Sequence, residues 1–313
     1  MQTSASSAYQ NHAAADSNQP AYIGRFAPSP TGPLHVGSLF TALASYLDAR
    51  ANNGKWLLRI DDLDTPRNQP GVADAIFKCL ESFGLHWDGG VYYQSRHIND
   101  YEQYLTELAS RSLTYRCDCS RKTLTEQAGD NKPGIYPGTC RNKHILETAS
   151  HAIRIKTDES VLTFHDGLQG QITRQLNLED GDFILKRRDN IIAYQFAVVV
   201  DDYLQGINHV VRGCDLLQET PKQIYLQQLL GFPSPAYTHV PLIVDAQGYK
   251  LSKQTLATAV DINKPEQILF ELLILLKQNP LNELKKANVN ELLEYAIVNW
   301  RSDALTLQQI VAQ

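Results

Sequence analysis

Residues able to do chemistry cluster in a few places along the 313-residue chain. Between positions 22 and 38, Arg25, Ala27 and Ser29 stand at a turn written Pro28-Ser29-Pro30-Thr31-Gly32-Pro33, and His35-Val36-Gly37-Ser38 follows it. An imidazole at a helix start can donate to phosphate oxygens, Gly37 leaves room for a nucleotide to approach the backbone, and the free N–H groups of the first turn attract anions. Asp61 and Arg212 close two apolar runs, and Tyr194 precedes a third. Arginines offer two-pronged forks that suit carboxylates and phosphates. Lys250-Leu251-Ser252-Lys253-Gln254 puts two cations on a polar stretch after Gln247-Gly248, where they can meet phosphate charge. Finally, Cys117, Cys119 and Cys140 fall within 24 residues of turn-rich sequence, with Tyr136 and His144 close by. Such a stretch cannot build its own core, and a tetrahedral metal, zinc, is the staple it calls for. On the residues alone the fourth ligand is either Tyr136 or His144.

These groups need elements to position them. Residues 22–26 read as a short buried strand. From His35 the stripe Leu39, Ala42, Leu43, Tyr46 and Leu47 predicts a helix stopping at Asn53-Gly54, and 55–60 is a second strand. Strand, Gly/Pro turn, helix and strand make a βαβ unit, whose turn lies at the carboxyl edge of a parallel sheet. Further helices are expected over 71–83, with Cys79 in the core, and over 96–112, with Ile98, Tyr101, Leu105 and Leu108 inward. Strands are expected over 152–157 and 161–165. The apolar run 197–200, ending at Asp201-Asp202, reads as a strand buried on both faces. Residues 208–211 form another strand, leading to Arg212, and 220–230 is a helix closed by Gly231. Cys214 reads as structural. The last 60 residues predict helices over 267–276, 281–298 and 305–311.

Composition is that of an ordinary globular chain, with 43% hydrophobic and 20% charged residues and a net charge of −5. No global basic surface announces nucleic acid, so RNA contacts must come from local groups such as Lys186-Arg187-Arg188 or Arg141 and Lys143. No stretch is long and apolar enough to span a bilayer. Residues 1–20 lack a basic start and an apolar run, and read as a disordered lead-in rather than a signal peptide. A cytoplasmic, monomeric protein with reduced cysteines is the expectation.

His35-Val36-Gly37-Ser38 resembles the "HIGH" signature of class I aminoacyl-tRNA synthetases. The stretch from Arg25 to Gly32 is similar to the one preceding it in the glutamyl branch. Lys250-Leu251-Ser252-Lys253-Gln254 resembles the "KMSKS" loop, with Leu for Met and Gln for the last Ser. The Cys-x-Cys…Tyr-x-x-x-Cys pattern is similar to that of glutamyl-queuosine tRNA(Asp) synthetases, truncated relatives of glutamyl-tRNA synthetase. The resemblance spans residues 22–254. It implies an α/β fold, a Rossmann-type parallel sheet in a catalytic domain over 21–260, with a zinc-bearing insert over 113–150 and a short helical C-terminal segment over 261–313.

The same resemblance implies the roles. Arg25, Ala27, Ser29, Asp61 (where the family usually has Glu), Tyr194 and Arg212 would bind glutamate. His35, Gly37, Ser38, Lys250, Ser252 and Lys253 would bind ATP, with His35 and Lys253 stabilising the charge of transfer and Mg²⁺ accompanying the nucleotide. Cys117, Cys119, Tyr136 and Cys140 would hold one zinc. The implied activity is ATP-dependent formation of glutamyl-adenylate and transfer to queuosine of tRNA(Asp). Rival readings are a short glutamyl-tRNA synthetase charging the 3′ end, a small-molecule nucleotidyltransferase, and a non-catalytic RNA-binding paralogue. The 60 residues after Lys253 hold too little for a full anticodon-binding domain, and one compact domain cannot span both ends of a tRNA. The expected acceptor is therefore the anticodon base itself.

Overall fold

The computed structural model describes residues 21–120, 122–124, 135–244, 259–305 and 309–311. The lead-in and the loop bearing Lys250, Ser252 and Lys253 lie outside them. Strand β1 (Ile23–Phe26) and strand β2 (Lys55–Ile60) are parallel and joined by helix α1 (Val36–Ala51), which gives the expected βαβ unit. The close approach of β2's start to β1 explains Gly54: a Cβ there would stand 2.6 Å from the Tyr22 carbonyl oxygen. Helix α2 (Val72–Ser82) buries Cys79, as expected, and leads to β3 (Tyr92–Tyr93), parallel to β2. Helix α3 (Ile98–Ser110) turns Tyr101, Leu105 and Leu108 inward. Ile98, at its first position, stays 40% exposed, contrary to the expectation from spacing.

Strands β4 (Thr114–Cys117) and β5 (Ala152–Ile155) are antiparallel and bracket the cysteine-bearing stretch. Strand β6 (Val161–Asp166) pairs with β7 (Gly170–Gln175), and β8 (Ile184–Lys186) pairs with β5. The run 197–200 is not a strand. It lies inside helix α4 (Tyr194–Leu204), whose Phe196 to Asp202 are all buried. Three consecutive valines favour extended backbone locally, but a short apolar run cannot be told from a buried helix, and packing decides. The helix has a consequence for charge. A strand would send Asp201 and Asp202 to opposite faces, whereas a helix lets both carboxylates reach one partner.

Strand β9 (His209–Gly213), helix α5 (Thr220–Leu230) and strand β10 (Ala236–Val240) form a second parallel unit, with Gly231 in the left-handed region at φ 71°. The sheet order is β7-β6-β10-β9. Asn208 N–H donates to the Ile23 carbonyl, so β9 runs beside β1 and the carboxyl ends of both open on the same region.

Strand β11 (Leu242–Val244) follows. Helices α6 (Pro265–Leu275) and α7 (Val289–Val298) place Leu269, Leu272, Leu273, Leu292 and Leu293 in one core with Leu39, Leu43 and Leu47 of α1. The C-terminal helices are thus part of the core that holds α1. Where the sequence suggested helix at 305–311, strand β12 (Gln309–Val311) pairs in parallel with β11. Pairing with an open strand edge overrides local preference there.

Candidate active site

A cleft of ≈ 370 Å³ opens where β1, β9 and α1 meet, lined by Arg25, Ala27, Ser29, His35, Gly37, Ser38, Tyr194 and Arg212 among others. The turn from β1 to α1 supplies its floor. His35 is the N-cap of α1: its Nδ1 accepts from the Ser38 N–H at 3.3 Å, and its own N–H donates to Ser38 Oγ at 3.0 Å, a reciprocal capping box. With Nδ1 accepting, the neutral ring carries its proton on Nε2, an atom able to donate to phosphate. Ala259, the first described residue after position 244, bridges His35.

The two arginines are held differently. Arg25, 4% exposed, donates from Nε to Asp202 Oδ1 at 3.2 Å, so its charge is compensated by protein. Arg212, also 4% exposed, donates from Nε to His239 Nε2 at 3.0 Å and from Nη2 to Thr220 Oγ1 at 2.7 Å. Its Nη1 has no hydrogen-bond partner among the described residues. An unpaired buried guanidinium nitrogen lining a cleft is prepared for an anionic ligand.

Behind the cleft lies a buried charge network that sequence reasoning missed. Arg59, fully buried on β2, donates to Asp61 Oδ1 at 2.8 Å and Asp202 Oδ1 at 2.6 Å, with Asp201 Oδ2 3.8 Å away. Asp201 also accepts from Tyr101 at 2.7 Å, Gln94 at 2.7 Å and Tyr92 at 2.9 Å. Two guanidiniums, Arg25 and Arg59, thus face three carboxylates. Burial pushes the Asp61 carboxyl up to about 6, with Arg59 opposing and Asp201 adding to the rise. Burial also acts on Asp202, but Arg25 and Arg59 outweigh it and hold that carboxyl below its ordinary value. Asp61 lines a neighbouring cavity that shares Ser29 and Tyr194 with the cleft, so the structure sets it one step away from Arg25 and Arg212. The only sequence signals for this network were an arginine in an apolar strand and the pair Asp201-Asp202, the latter read on the wrong element.

The cysteine-bearing stretch converges as expected. The sulfurs of Cys117, Cys119 and Cys140 lie within 4.8 Å of one another, and Cys119 to Cys140 is 3.4 Å. The Tyr136 Oη stands 3.5 Å from Cys117 Sγ and 3.8 Å from Cys119 Sγ, and the Cys140 N–H donates to it at 2.9 Å. Tetrahedral zinc at ~2.3 Å from sulfur and ~2.0 Å from oxygen requires separations of about 3.5–3.8 Å, so this donor set fits the ion. His144 is exposed and outside the cluster. Burial and hydrogen bonding to neighbouring thiols push the Tyr136 phenol well above its ordinary range, and burial with Cys140 pushes the Cys119 thiol up to about 11. A metal must displace these protons.

The cluster is moored to the body through Asp182. That carboxylate accepts from Tyr115 at 2.5 Å, from the Thr157 N–H at 2.8 Å and from Arg141 Nε at 2.6 Å. Arg141, expected as a phosphate contact, is therefore an anchor. Of the other basic groups, Lys186 pairs with Glu102 at 2.6 Å, Arg187 with Asp189 at 2.6 Å, and Arg188 donates to the Asp118 carbonyl.

The profile described as tRNA synthetases class I (E and Q), catalytic domain, matches residues 23–304. The chain belongs to that family. Proteins named Glutamyl-Q tRNA(Asp) synthetase are similar along nearly their whole length. That of Thiobacillus denitrificans is 48% identical, covering 95% of this chain and 99% of its own. One from Neisseria meningitidis serogroup C is 50% identical, covering 89% and 95%. The crystal structure of glutamate-tRNA synthetase from Elizabethkingia anophelis superposes with a TM-score of 0.80 at 25% identity, over 94% of this chain and 68% of that one. The cleft lies at the carboxyl edge of the parallel strands beside the N-terminus of α1, where open α/β sheets bind their ligands. No described helix is long and apolar enough to cross a membrane.

Proposed function

We propose that the protein activates L-glutamate with ATP and transfers the glutamyl group to queuosine in the anticodon of tRNA(Asp). The observation that carries the activation step is the cleft itself, where Arg25 and Arg212 share a wall with the capped turn His35–Ser38. One arginine has its charge matched by Asp202 and the other keeps a buried nitrogen unpaired among the described residues, which supports a carboxylate beside the phosphate site. Tyr194, at the start of α4, adds a hydroxyl, and Ala27 and Ser29 close the substrate's near side. Asp61 serves the α-ammonium, which would balance the excess carboxylate of the Arg25–Arg59 network. Nucleophilic attack then runs from the glutamate α-carboxylate to the α-phosphorus of ATP, and pyrophosphate leaves with its bonding electron pair. His35 donates to the phosphate oxygens that gain charge, Gly37 and Ser38 leave and line the approach, and Lys250, Ser252 and Lys253 hold the pyrophosphate side. Only five residues separate Lys253 from Ala259, which bridges His35. Mg²⁺ bound to ATP would neutralise part of the phosphate charge.

The acceptor rests on the curated relatives, which share 48–50% identity over 95–99% of their own lengths and carry that substrate in their names. Zinc at Cys117, Cys119, Tyr136 and Cys140 supplies a structural cross-link for the 113–150 insert. The test of the activation step is ATP–pyrophosphate exchange with purified protein. Exchange is expected with glutamate and not with aspartate or glutamine, and absence of exchange with every amino acid would leave only a binding function.

A further inference from the structure

Strands β6, β10 and β9 lie side by side and carry Asp166, His239 and Arg212, with His239 the direct register partner of Arg212 and Asp166 that of Tyr237, two residues before His239. Both Asp166 and His239 are fully buried. Asp166 Oδ2 stands 2.5 Å from His239 Nδ1, while its Oδ1 accepts from the backbone N–H groups of Leu168 at 3.0 Å, Gln169 at 2.8 Å and His239 at 3.1 Å. A carboxylate so placed can only accept, which fixes the ring proton on Nδ1 and leaves Nε2 as an acceptor. Nε2 is where the Arg212 Nε–H arrives, at 3.0 Å. Thr220 Oγ1 accepts from Arg212 Nη2 and stands 3.0 Å from the same His239 Nε2 and 3.3 Å from the Leu216 carbonyl oxygen, both acceptors for its proton. The guanidinium is thus gripped along its Nε–Nη2 edge, and Nη1 is the end left open.

We infer that His239, with its tautomer set by Asp166, is a positioning residue that aims Arg212 at the substrate carboxylate without neutralising it. The inference rests on the reading that Arg212 binds glutamate. Its physical content is the contrast between the two arginines of the cleft. Asp202 touches Arg25 directly and cancels its charge, whereas Arg212 meets a neutral ring, and the balancing carboxylate stands one ring further back. A carboxylate in contact with Arg212 would compete with the ligand for the same donors. A neutral acceptor orients the fork and leaves the full charge for the ligand. Burial and the neighbouring Arg212 charge both hold the imidazole below its ordinary value, with Asp166 opposing, consistent with a neutral ring.

The experiment uses pyrophosphate exchange, with KM for glutamate and for ATP measured separately, in His239→Asn, His239→Gln and Asp166→Asn. Gln can put an oxygen near the Nε2 position and keep an acceptor for Arg212; Asn cannot reach it. His239→Asn and Asp166→Asn should raise the glutamate KM on the order of 10- to 100-fold, with the ATP KM within about two-fold, and His239→Gln should restore most of the loss. An unchanged glutamate KM in His239→Asn, or glutamate and ATP KM rising together, would overturn the inference. Nitrogen-15 spectra of the ligand-free wild type supply an arm that needs no substrate. They should show His239 protonated on Nδ1 alone, with the Arg212 Nε–H signal moving in Asp166→Asn, and a proton on Nε2 at neutral pH would overturn it. If the wild type does not activate glutamate at all, the substrate reading falls, while the positioning of Arg212 is still decided by those spectra.

Discussion

Asp61 is the residue whose charge state matters most to the proposed amino-acid pocket. Its carboxyl is pushed up to about 6 by burial, so it is an anion above that pH and neutral below it. An ammonium acceptor is lost on protonation, so the glutamate KM should rise as pH falls through about 6. Asp61→Asn should abolish that acid limb and raise KM roughly ten-fold at neutral pH. A wild-type profile flat from pH 5 to 8 would show that Asp61 does not serve the ammonium. Arg59 poses the opposite case. It faces Asp61 and Asp202 at 2.8 and 2.6 Å in full burial, and Arg59→Met would leave three carboxylates with one cation. Urea unfolding should show a loss of about 3–5 kcal/mol. Arg25, His35, Tyr194 and Arg212, which the fold gathers on one cleft, could be singled out in the sequence because their types and order make a pattern. Arg59, Asp166 and His239 meet other protein groups, and nothing in the linear order of a chain announces a partner on a neighbouring strand or helix far along it.

At the scale of elements, what was legible followed period and punctuation. Helix α5 starts and ends where Thr220-Pro221 and Gly231 place it, and β2 has the expected limits. What was lost was decided by packing: α4 carries β-favouring valines but is buried as a helix, and β12 is a strand because β11 offers an edge. The cysteine stretch belongs to this scale too, since Cys117 at the end of β4 meets Cys119 and Cys140 from beyond it. The purified protein should hold about one zinc per chain, measured by atomic absorption, and Cys117→Ser or Cys140→Ser should lose it. Tyr136→Phe should weaken retention, because its oxygen sits 3.5 Å from Cys117 Sγ, whereas exposed His144→Ala should not. The reverse ranking would move the fourth ligand to His144. The Cys119 thiol and the Tyr136 phenol both keep their protons above the ordinary range without metal, so zinc retention should fall as pH is lowered.

On the scale of the whole molecule, helices α6 and α7 share one core with α1, and α1 carries the capped turn of the cleft. Truncation before residue 265 should therefore cost the fold rather than remove an appendage, and the loss of a cooperative thermal transition would show it. The central claim concerns which end of the RNA enters the cleft. Periodate attacks the 3′ ribose and the queuosine diol alike, so the discriminating substrate is tRNA(Asp) trimmed of its CCA end. Glutamate transfer is measured to trimmed tRNA bearing queuosine and to tRNA from cells lacking it. The account predicts that the trimmed, queuosine-bearing tRNA accepts glutamate and that queuosine-free tRNA does not; acceptance abolished by trimming would make the protein a 3′-charging glutamyl-tRNA synthetase and contradict the account.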